Sequence, residues 1–572
     1  MLRRRTALPV GAALLSAALA SSPAAAGGAA GGDAGGALGR FHHLVVIYQE
    51  NHSFDNLYGE WGSVAGQAVD GVANAEPAHT QQVAQDGTPY ACLPQNDVNL
   101  TSPPLPANCT GTAAGKPVAS AFDNAPFRVD DHIKPDDTTC PKPGQSAANG
   151  TAAGTGEPGG CTRDLVHRFY QEQYQLDGGK QDRYTTGSDA IGLTQGRYST
   201  QQLPIWQYLH GDGALNYVLA DHFFQGAFGG SFLNHQYLIA AQAPVYVGAA
   251  HDGSAADLHS VLDAHGFPAT YPLYTPTGPV KDAELTQACG PTANPARACG
   301  DYAVNTIQPT YRPFGKGAQL PPVDDTKSAK NIGDELSDAG ASWAWYAGGW
   351  DNASGDVGGA GWTNGTTAGT CTDPAHDAGA VYPYCADANF QYHHQPYNYF
   401  ARYAPGTADR AAHLKDEENF LAAARAGSLP SVSFVKPVGA ENEHPGYASE
   451  TTGSDHLVDL LKTITSGPQA QDTLVVVTYD EFGGSWDHVS PPGQGDATPG
   501  PADAFGPGTR VPTLVLGAGL RESGVDHTSY DTTSIMATIE HAYGLAPLSS
   551  RDAAVADLAP SLRVAKGGRR DS

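Results

Sequence analysis

The chain has 572 residues, with 32 basic against 59 acidic side chains and a formal charge of −27. Hydrophobic residues make up 40% of it, enough for a sizeable core, while 69 glycines and 42 prolines announce long loops. So acidic a surface repels phosphate backbones and anionic lipid, which excludes nucleic-acid binding by charge and argues against docking on anionic membranes.

The first 26 residues run from Arg3-Arg4-Arg5 through an apolar stretch to Ala24-Ala25-Ala26, the order of an export signal. The apolar part is too short to span a bilayer and no other stretch reaches that length, so stable membrane insertion is not expected. Arg4-Arg5 leaves the twin-arginine route open beside the general one. Removing this segment takes away three arginines and no acid, leaving 29 basic against 59 acidic residues and a charge of −30. Residues 27–39, nearly all Gly and Ala, read as a flexible lead. From 40 to 552 we expect a single domain, carrying insertions at about 62–160 and 246–330. The tail 553–572 is expected to be disordered.

His43-Leu44-Val45-Val46-Ile47-Tyr48-Gln49 reads as a buried strand and runs into Glu50-Asn51-His52-Ser53-Phe54-Asp55. Tyr217-Val218-Leu219-Ala220-Asp221 reads as a strand leading to a loop, and Phe232 to Gln242 has helical apolar spacing, which puts Ser231 near a helix N-terminus. A serine there is ordinarily an N-cap, but the free N–H groups also favour an anion. Leu474-Val475-Val476-Val477 reads as another buried strand, followed by Asp480-Glu481-Phe482-Gly483-Gly484 and Asp487-His488. A last strand and helix fall at Val511–Leu516 and Thr533–Ile539.

Carboxylates at the ends of two apolar strands can meet only if those strands share a sheet. Glu50 and Asn51 from one, Asp480 and Glu481 from the other, form an oxygen-rich set suited to one divalent cation, with Ca²⁺, Mg²⁺, Mn²⁺ and Zn²⁺ all open. The alternative for each is a polar loop beside a tight turn. The eight cysteines pair most simply with their neighbours: Cys92 with Cys109, Cys140 with Cys161, Cys289 with Cys299, and Cys371 with Cys385. Exported proteins meet oxidising conditions, and no Cys-x-x-Cys supports a zinc site instead.

The Glu-Asn-x-Ser-Phe-Asp opening, paired with Asp-Glu-x-Gly-Gly-x-x-Asp-His-Val-x-Pro-Pro, resembles the bacterial phosphoesterase family of acid phosphatases and non-haemolytic phospholipases C. The likeness covers roughly residues 40 to 550. It implies an α/β fold like that of alkaline phosphatase: an α/β/α sandwich around a mostly parallel sheet, with long loop insertions. It also implies Ser231 as nucleophile and metal ligand, forming a phosphoserine, and His167, His393, His394 and His444 as the lining of a phosphate pocket. Protonated, these histidines would supply charge and a proton at mildly acidic pH. Asp487 and His488 are expected behind the ligands, orienting one of them or the Gly-Gly turn. His42, His43, His210, His222 and His235 are read as structural. Two departures stand out: His52 where the family more usually has Arg, and Gly178-Gly179-Lys180-Gln181-Asp182 where a Met and a Gly are more typical.

The sequence therefore reads as a secreted phosphoesterase acting on a small phosphoester. Ser231, the His393-His394-Gln395-Pro396 run and the lack of β-rich segments after the core lean toward a phosphomonoesterase of the acid-phosphatase type. Phospholipase C is the alternative, and a catalytically silent secreted binding protein is the alternative of another class. No Cys/Ser-x-Pro-x-Arg motif supports a sulfatase.

Overall fold

The computed structural model of the chain describes residues 38–94, 107–113, 115–132, 164–188, 192–268, 281, 283–305, 311–315, 330–495 and 498–565. The leader, the Gly/Ala stretch to residue 37, and Cys140 and Cys161 lie outside them. Its centre is an eight-stranded sheet. In chain order the strands are β1 (His43–Gln49), β2 (Tyr217–Ala220), β3 (Trp343–Ala347), β4 (Leu414–Asp416), β5 (Val432–Lys436), β6 (Thr473–Tyr479), β7 (Thr513–Leu516) and β8 (Gly524–Asp526). They are arranged spatially as β4-β3-β5-β1-β6-β7-β2-β8, and only β7 runs antiparallel.

Every residue of β6 and all but the first of β1 are buried. A strand presents alternate side chains to opposite faces, so burial of both sets means that both faces of the sheet are covered. This explains the unbroken apolar runs Leu44–Ile47 and Leu474–Val477, each side chain contributing ~1.5–3 kcal/mol on burial. A charge at Val476 would disrupt both the packing and the strand.

The longer helices include α1 (Phe169–Leu176), α2 (Ser231–Ala240), α3 (Glu417–Ala426), α4 (Glu450–Ser466) and α5 (Thr533–Tyr543). α3 opens on a capping box at Asp416 and closes at Gly427 in the left-handed region, while α4 is capped by Ser449. α4 packs on α3, and α2 packs on α5.

The expected disorder of 553–572 fails for its first part. A further helix, α6 (Ala559–Val564), buries Leu562 and packs on β8 and β2. The three apolar side chains Leu558, Leu562 and Ala565 recur at near-helical spacing and join the core. That stripe is too short to stand out beside the basic end of the chain. Three of the four expected cysteine pairs are bonded: Cys92–Cys109, Cys289–Cys299 and Cys371–Cys385, with Cα atoms 6.0, 5.0 and 5.5 Å apart. Among the described residues no helix is long and apolar enough to cross a membrane.

Candidate active site

Register places the site. β1 pairs in parallel with β6 from His43↔Thr473 to Gln49↔Tyr479, so Glu50 and Asp480 leave the sheet side by side. On the other flank Ile47 aligns with Val435 of β5, which brings Lys436 to the same edge. β2 also points its C-terminal end this way, and α2 begins eleven residues beyond it. The C-terminal edge of parallel strands is where α/β sheets hold ligands.

The loops at this edge have their conformations fixed by a few residues. Asn51 adopts φ +56°, in the left-handed region that Asn tolerates better than most residues. Gly483 and Gly484 follow Asp480-Glu481 with φ of +61° and +74°. A Cβ on Gly483 would run into the Asn51 carbonyl oxygen, and one on Gly484 would sit 2.7 Å from Leu165 Cβ and 2.8 Å from Val166 O. The paired glycines thus let the 480–484 loop close against both the Asn51 turn and the His167 segment.

Ser231 is the first residue of α2, after Gly230 in extended conformation. Its Oγ lies 3.2 Å from Glu50 Oε2, 3.3 Å from Glu481 Oε1 and 3.4 Å from Asn51 Oδ1. A hydroxyl has one hydrogen and can satisfy one of these three acceptors; the other two contacts set lone pairs against lone pairs. Asp480 completes the set: its Oδ1 accepts the Asn51 N–H at 3.3 Å, while its buried Oδ2 has no hydrogen-bond donor. The Asn51 amide is oriented by His444, whose Nδ1 donates to Pro445 O and whose Nε2 accepts from Asn51 Nδ2, each at 2.9 Å. That leaves Asn51 Oδ1 facing Ser231.

Glu50, Asp480 and Glu481 are fully buried. Burial, and then the Glu50 charge, push Asp480 well above the ordinary carboxylate range; burial and Asp480 do the same to Glu481. Glu50 goes the other way. Burial acts to raise it, but His394 and then Lys436 hold it well below its usual range. His394 Nε2 sits 3.0 Å from Glu50 Oε1, and Lys436 Nζ contacts the same oxygen and donates to Gln49 O. With all three ionised, as cation binding requires, three carboxylates and one ammonium leave a net −2, which a single divalent cation cancels. The stranded Asp480 oxygen, the triple contact of Ser231 and this charge count all fit a cation held by Glu50, Asn51, Ser231, Asp480 and Glu481.

The four expected pocket histidines gather around this cluster. His167 Nε2 is 3.4 Å from Glu481 Oε1, and the His393 and His394 rings pack edge-to-face at 4.7 Å. His167 and Gly230 line a cavity of about 260 Å³ together with Asp164, Arg168, Glu284 and Asn305. The expected mildly acidic titration does not survive burial, which lowers His394 to about 4 and, joined by His394, drives His393 well below its usual value; His444 is lowered too. In the free protein burial thus favours the neutral form of all three imidazoles.

Two assignments change. His235, read as structural, lies inside the site: its ring stacks on His394 at 4.9 Å, its Nδ1 donates to Ser231 O, and its buried Nε2 has no partner. Glu50, His235 and His394 offer ligand atoms within 4.8 Å of one another. The helical offset of four from Ser231 was the available signal, since it returns His235 to the same face of α2. Asp487 and His488 touch none of the ligand candidates. Asp487 accepts from Arg510 Nε at 2.9 Å and from the Asp55 N–H at 3.0 Å, and His488 pairs with Asp55 and Asp70. They tie the loop after β6 to the one-turn helix Phe54–Leu57.

The sequence reading also missed Lys436, Glu172 and Gln225. Glu172 on α1 accepts from the Gly229 and Thr509 N–H groups, and burial raises it to about 7. Gln225 donates to Glu172 and Ala227 O while accepting from Phe482 N–H, so it joins the Ser231 loop to the Asp480-Glu481 loop. Single polar residues on a helix, at a strand end or in a loop carry no pattern that would reveal this. His52 bonds Glu443 O at 2.9 Å and Asn56 Oδ1 at 2.5 Å. Of the remaining structural histidines, His43 bonds Pro430 O, His210 bonds Trp206 O and His222 bonds Asp70.

Comparison with known proteins follows this geometry. The Phosphoesterase family matches residues 41–546, and the chain belongs to it. Among curated relatives, non-specific phospholipase C6 of Arabidopsis thaliana is 32% identical over 22% of this chain and 29% of its own length. Phospholipase C B of Mycobacterium tuberculosis is 33% identical over 26% and 32%, and the non-hemolytic phospholipase C of Burkholderia pseudomallei 34% over 20% and 19%. The matches thus span about a third or less of those relatives. A protein in the alkaline phosphatase superfamily from Vibrio parahaemolyticus overlaps at a TM-score of 0.20 and 11% identity, over 39% of this chain and 50% of that one. So slight an overlap carries no argument, and the α/β fold rests on the sheet itself.

Proposed function

We propose that this chain is a divalent-metal-dependent phosphoester hydrolase in which Ser231 is the nucleophile. The observation that carries the reading is the Ser231 hydroxyl held within 3.4 Å of three oxygens from two strand ends, in a buried cluster of net charge −2. When bound, a divalent ion there supplies Lewis acidity and lowers the serine's pKa. Glu50, Asn51, Asp480 and Glu481 would hold it.

Ser231 Oγ attacks phosphorus, forming the Oγ–P bond as the P–O bond to the alcohol breaks; the hydroxyl proton passes to a neighbouring carboxylate. His167, on the wall of the cavity, is placed to give the departing alkoxide a proton and then to take one from the water that cleaves the phosphoserine. The α2 N-terminus stabilises the phosphoryl oxygens. A phosphoryl anion entering the pocket would favour the protonated forms of His393, His394 and His444.

For the substrate we favour phosphodiesters of the phospholipase C type, because the three relatives above carry that name. A cavity of about 260 Å³ suits a phosphorylated head group and leaves an acyl chain outside it. The same small polar cavity supports the second reading, a phosphomonoesterase. Three disulfides support an extracytoplasmic location. The test is kcat/KM for phosphatidylcholine against nitrophenyl phosphate under matched metal and pH, with and without chelator. A tenfold preference for the lipid, ~1.4 kcal/mol, establishes the phospholipase reading, the reverse preference the phosphatase one. Turnover of neither, with metal bound, would leave the silent binding protein.

A further inference from the structure

We propose a second metal site, sharing no residue with the strand-end cluster, formed by His251, His259 and Asp301 and suited to Zn²⁺ or a similar borderline transition ion. One carboxylate oxygen, Asp301 Oδ1, faces two imidazole nitrogens: His259 Nε2 at 3.0 Å and His251 Nε2 at 3.2 Å. A tetrahedral ion with ~2.0–2.1 Å bonds holds its ligand atoms roughly 3.3 Å apart, close to the two histidine–carboxylate separations, and all three ligand atoms lie within 4.8 Å of one another. Two imidazoles and one carboxylate, with a position open to water, are a zinc-type donor set.

The surroundings orient the ligands. Asp257 Oδ1 lies 2.7 Å from His259 Nδ1 and also accepts the His259 backbone N–H. A proton held on Nδ1 leaves the Nε2 lone pair aimed at Asp301 Oδ1, an acceptor against an acceptor. This carboxylate–histidine pairing is the one that usually fixes the tautomer of a metal-bound imidazole. The contact needs either a second proton on His259 or a cation between the two atoms. His259 is nearly buried, whereas the His251 side chain is 53% exposed and leaves a path for entry.

The backbone is equally constrained. His259 bridges to Leu285, Leu285 bridges to Ala303, and Asp301 stands two residues after Cys299 of the Cys289–Cys299 disulfide. The His259 backbone is thus tied through Leu285 to the stretch beside Asp301, and the disulfide closes the loop between Leu285 and Asp301, which reduces the ordering cost of binding. The ion would act as a further cross-link within this insertion.

The experiment uses untagged full-length protein, stripped with chelator, reloaded with Zn²⁺ and desalted. Bound zinc is counted by elemental analysis, and melting is followed with and without Zn²⁺, for wild type, His251→Ala, Asp301→Asn and Asp480→Ala. The expected result is one equivalent fewer in His251→Ala and in Asp301→Asn than in wild type, with Zn²⁺ affinity at this site weakened at least tenfold and the zinc-induced rise in melting temperature lost. His251→Ala should keep wild-type phosphoester turnover. Equal zinc content in wild type and His251→Ala would overturn the proposal and leave two protonated histidines on one carboxylate. Because Asp480→Ala reports on the strand-end ion separately, failure here and failure of the catalytic reading give different patterns.

Discussion

Two buried charged clusters lie within one sequence motif and differ in whether they neutralise themselves. Asp480 and Glu481, with Glu50, form a set that Lys436 leaves at −2 when all three are ionised and in which Asp480 Oδ2 has no donor. Seven residues on, Asp487 and His488 join Asp55 and Arg510 in a set where two cations face two buried carboxylates, with the partly exposed Asp70 at its margin. Burial acts to lower His488, but Asp55 pushes it up to about 9; burial acts to raise Asp55, but His488 and Arg510 hold it down. A cluster that balances its own charge is a structural fastening. One that does not is built for a ligand, and the stability it forgoes is characteristic of functional sites.

The contrast can be broken by mutation. Ser231→Ala should reduce turnover by about three orders of magnitude or more without altering the melting temperature, checked by steady-state kinetics beside thermal denaturation. Arg510→Met strikes the other cluster, stranding Asp55 and Asp487, and should cost about 3–5 kcal/mol in denaturant unfolding. If Arg510→Met proved as stable as wild type, the fastening role would be lost.

Asp480→Asn should behave in the opposite sense. In chelator-treated protein it removes a like charge from a buried cluster, so the variant should melt a few degrees higher than wild type while failing to retain the ion. The sign in pH follows. The folded-state pKa values of Asp480 and Glu481 lie above their unfolded ones, so the metal-free protein binds more protons folded and loses stability as pH rises above the ordinary carboxylate range. Scanning calorimetry from pH 5 to 8 should show this slope in metal-free wild type and a shallower one in Asp480→Asn.

The smallest effect belongs to His488. Its folded pKa of about 9 exceeds the unfolded value near 6.5, so its contribution is fully present below about pH 6.5 and disappears as pH rises through 9. The melting-temperature difference between wild type and His488→Gln should therefore shrink between pH 6 and pH 9.5. A difference that stayed constant would mean that His488 contributes by shape alone.

Much of the site was readable from the chain because period and position carry it. Apolar runs ending in Glu50-Asn51 and Asp480-Glu481 specify strand ends, and parallel pairing then leaves the carboxylates no other place to meet. The Ser231 helix start was legible for the same reason. Lys436 was not, because a lysine closing Val432–Lys436 looks like any charge at a strand terminus until register sets it beside Glu50. His235 was hidden by a helix whose apolar residues occupy every face. Asp487-His488 was misplaced because adjacency to Asp480-Glu481 in sequence suggested adjacency in role, whereas the Gly-Gly turn sends the two pairs to different partners. The buried state of His393 and His394, which removes their acidic titration, depends on packing that no local pattern encodes.

The account stands on Ser231 acting with a cation at the strand-end cluster, and trapping the covalent adduct tests that most directly. Metal-loaded protein is mixed with phosphatidylcholine or nitrophenyl phosphate, quenched in acid within the first turnover, and digested for mass analysis. The account predicts a phosphoryl or phosphocholine mass on the peptide containing Ser231, lost after chelation and restored by a divalent ion. An adduct on another residue, or one that forms equally in chelated protein, would contradict it.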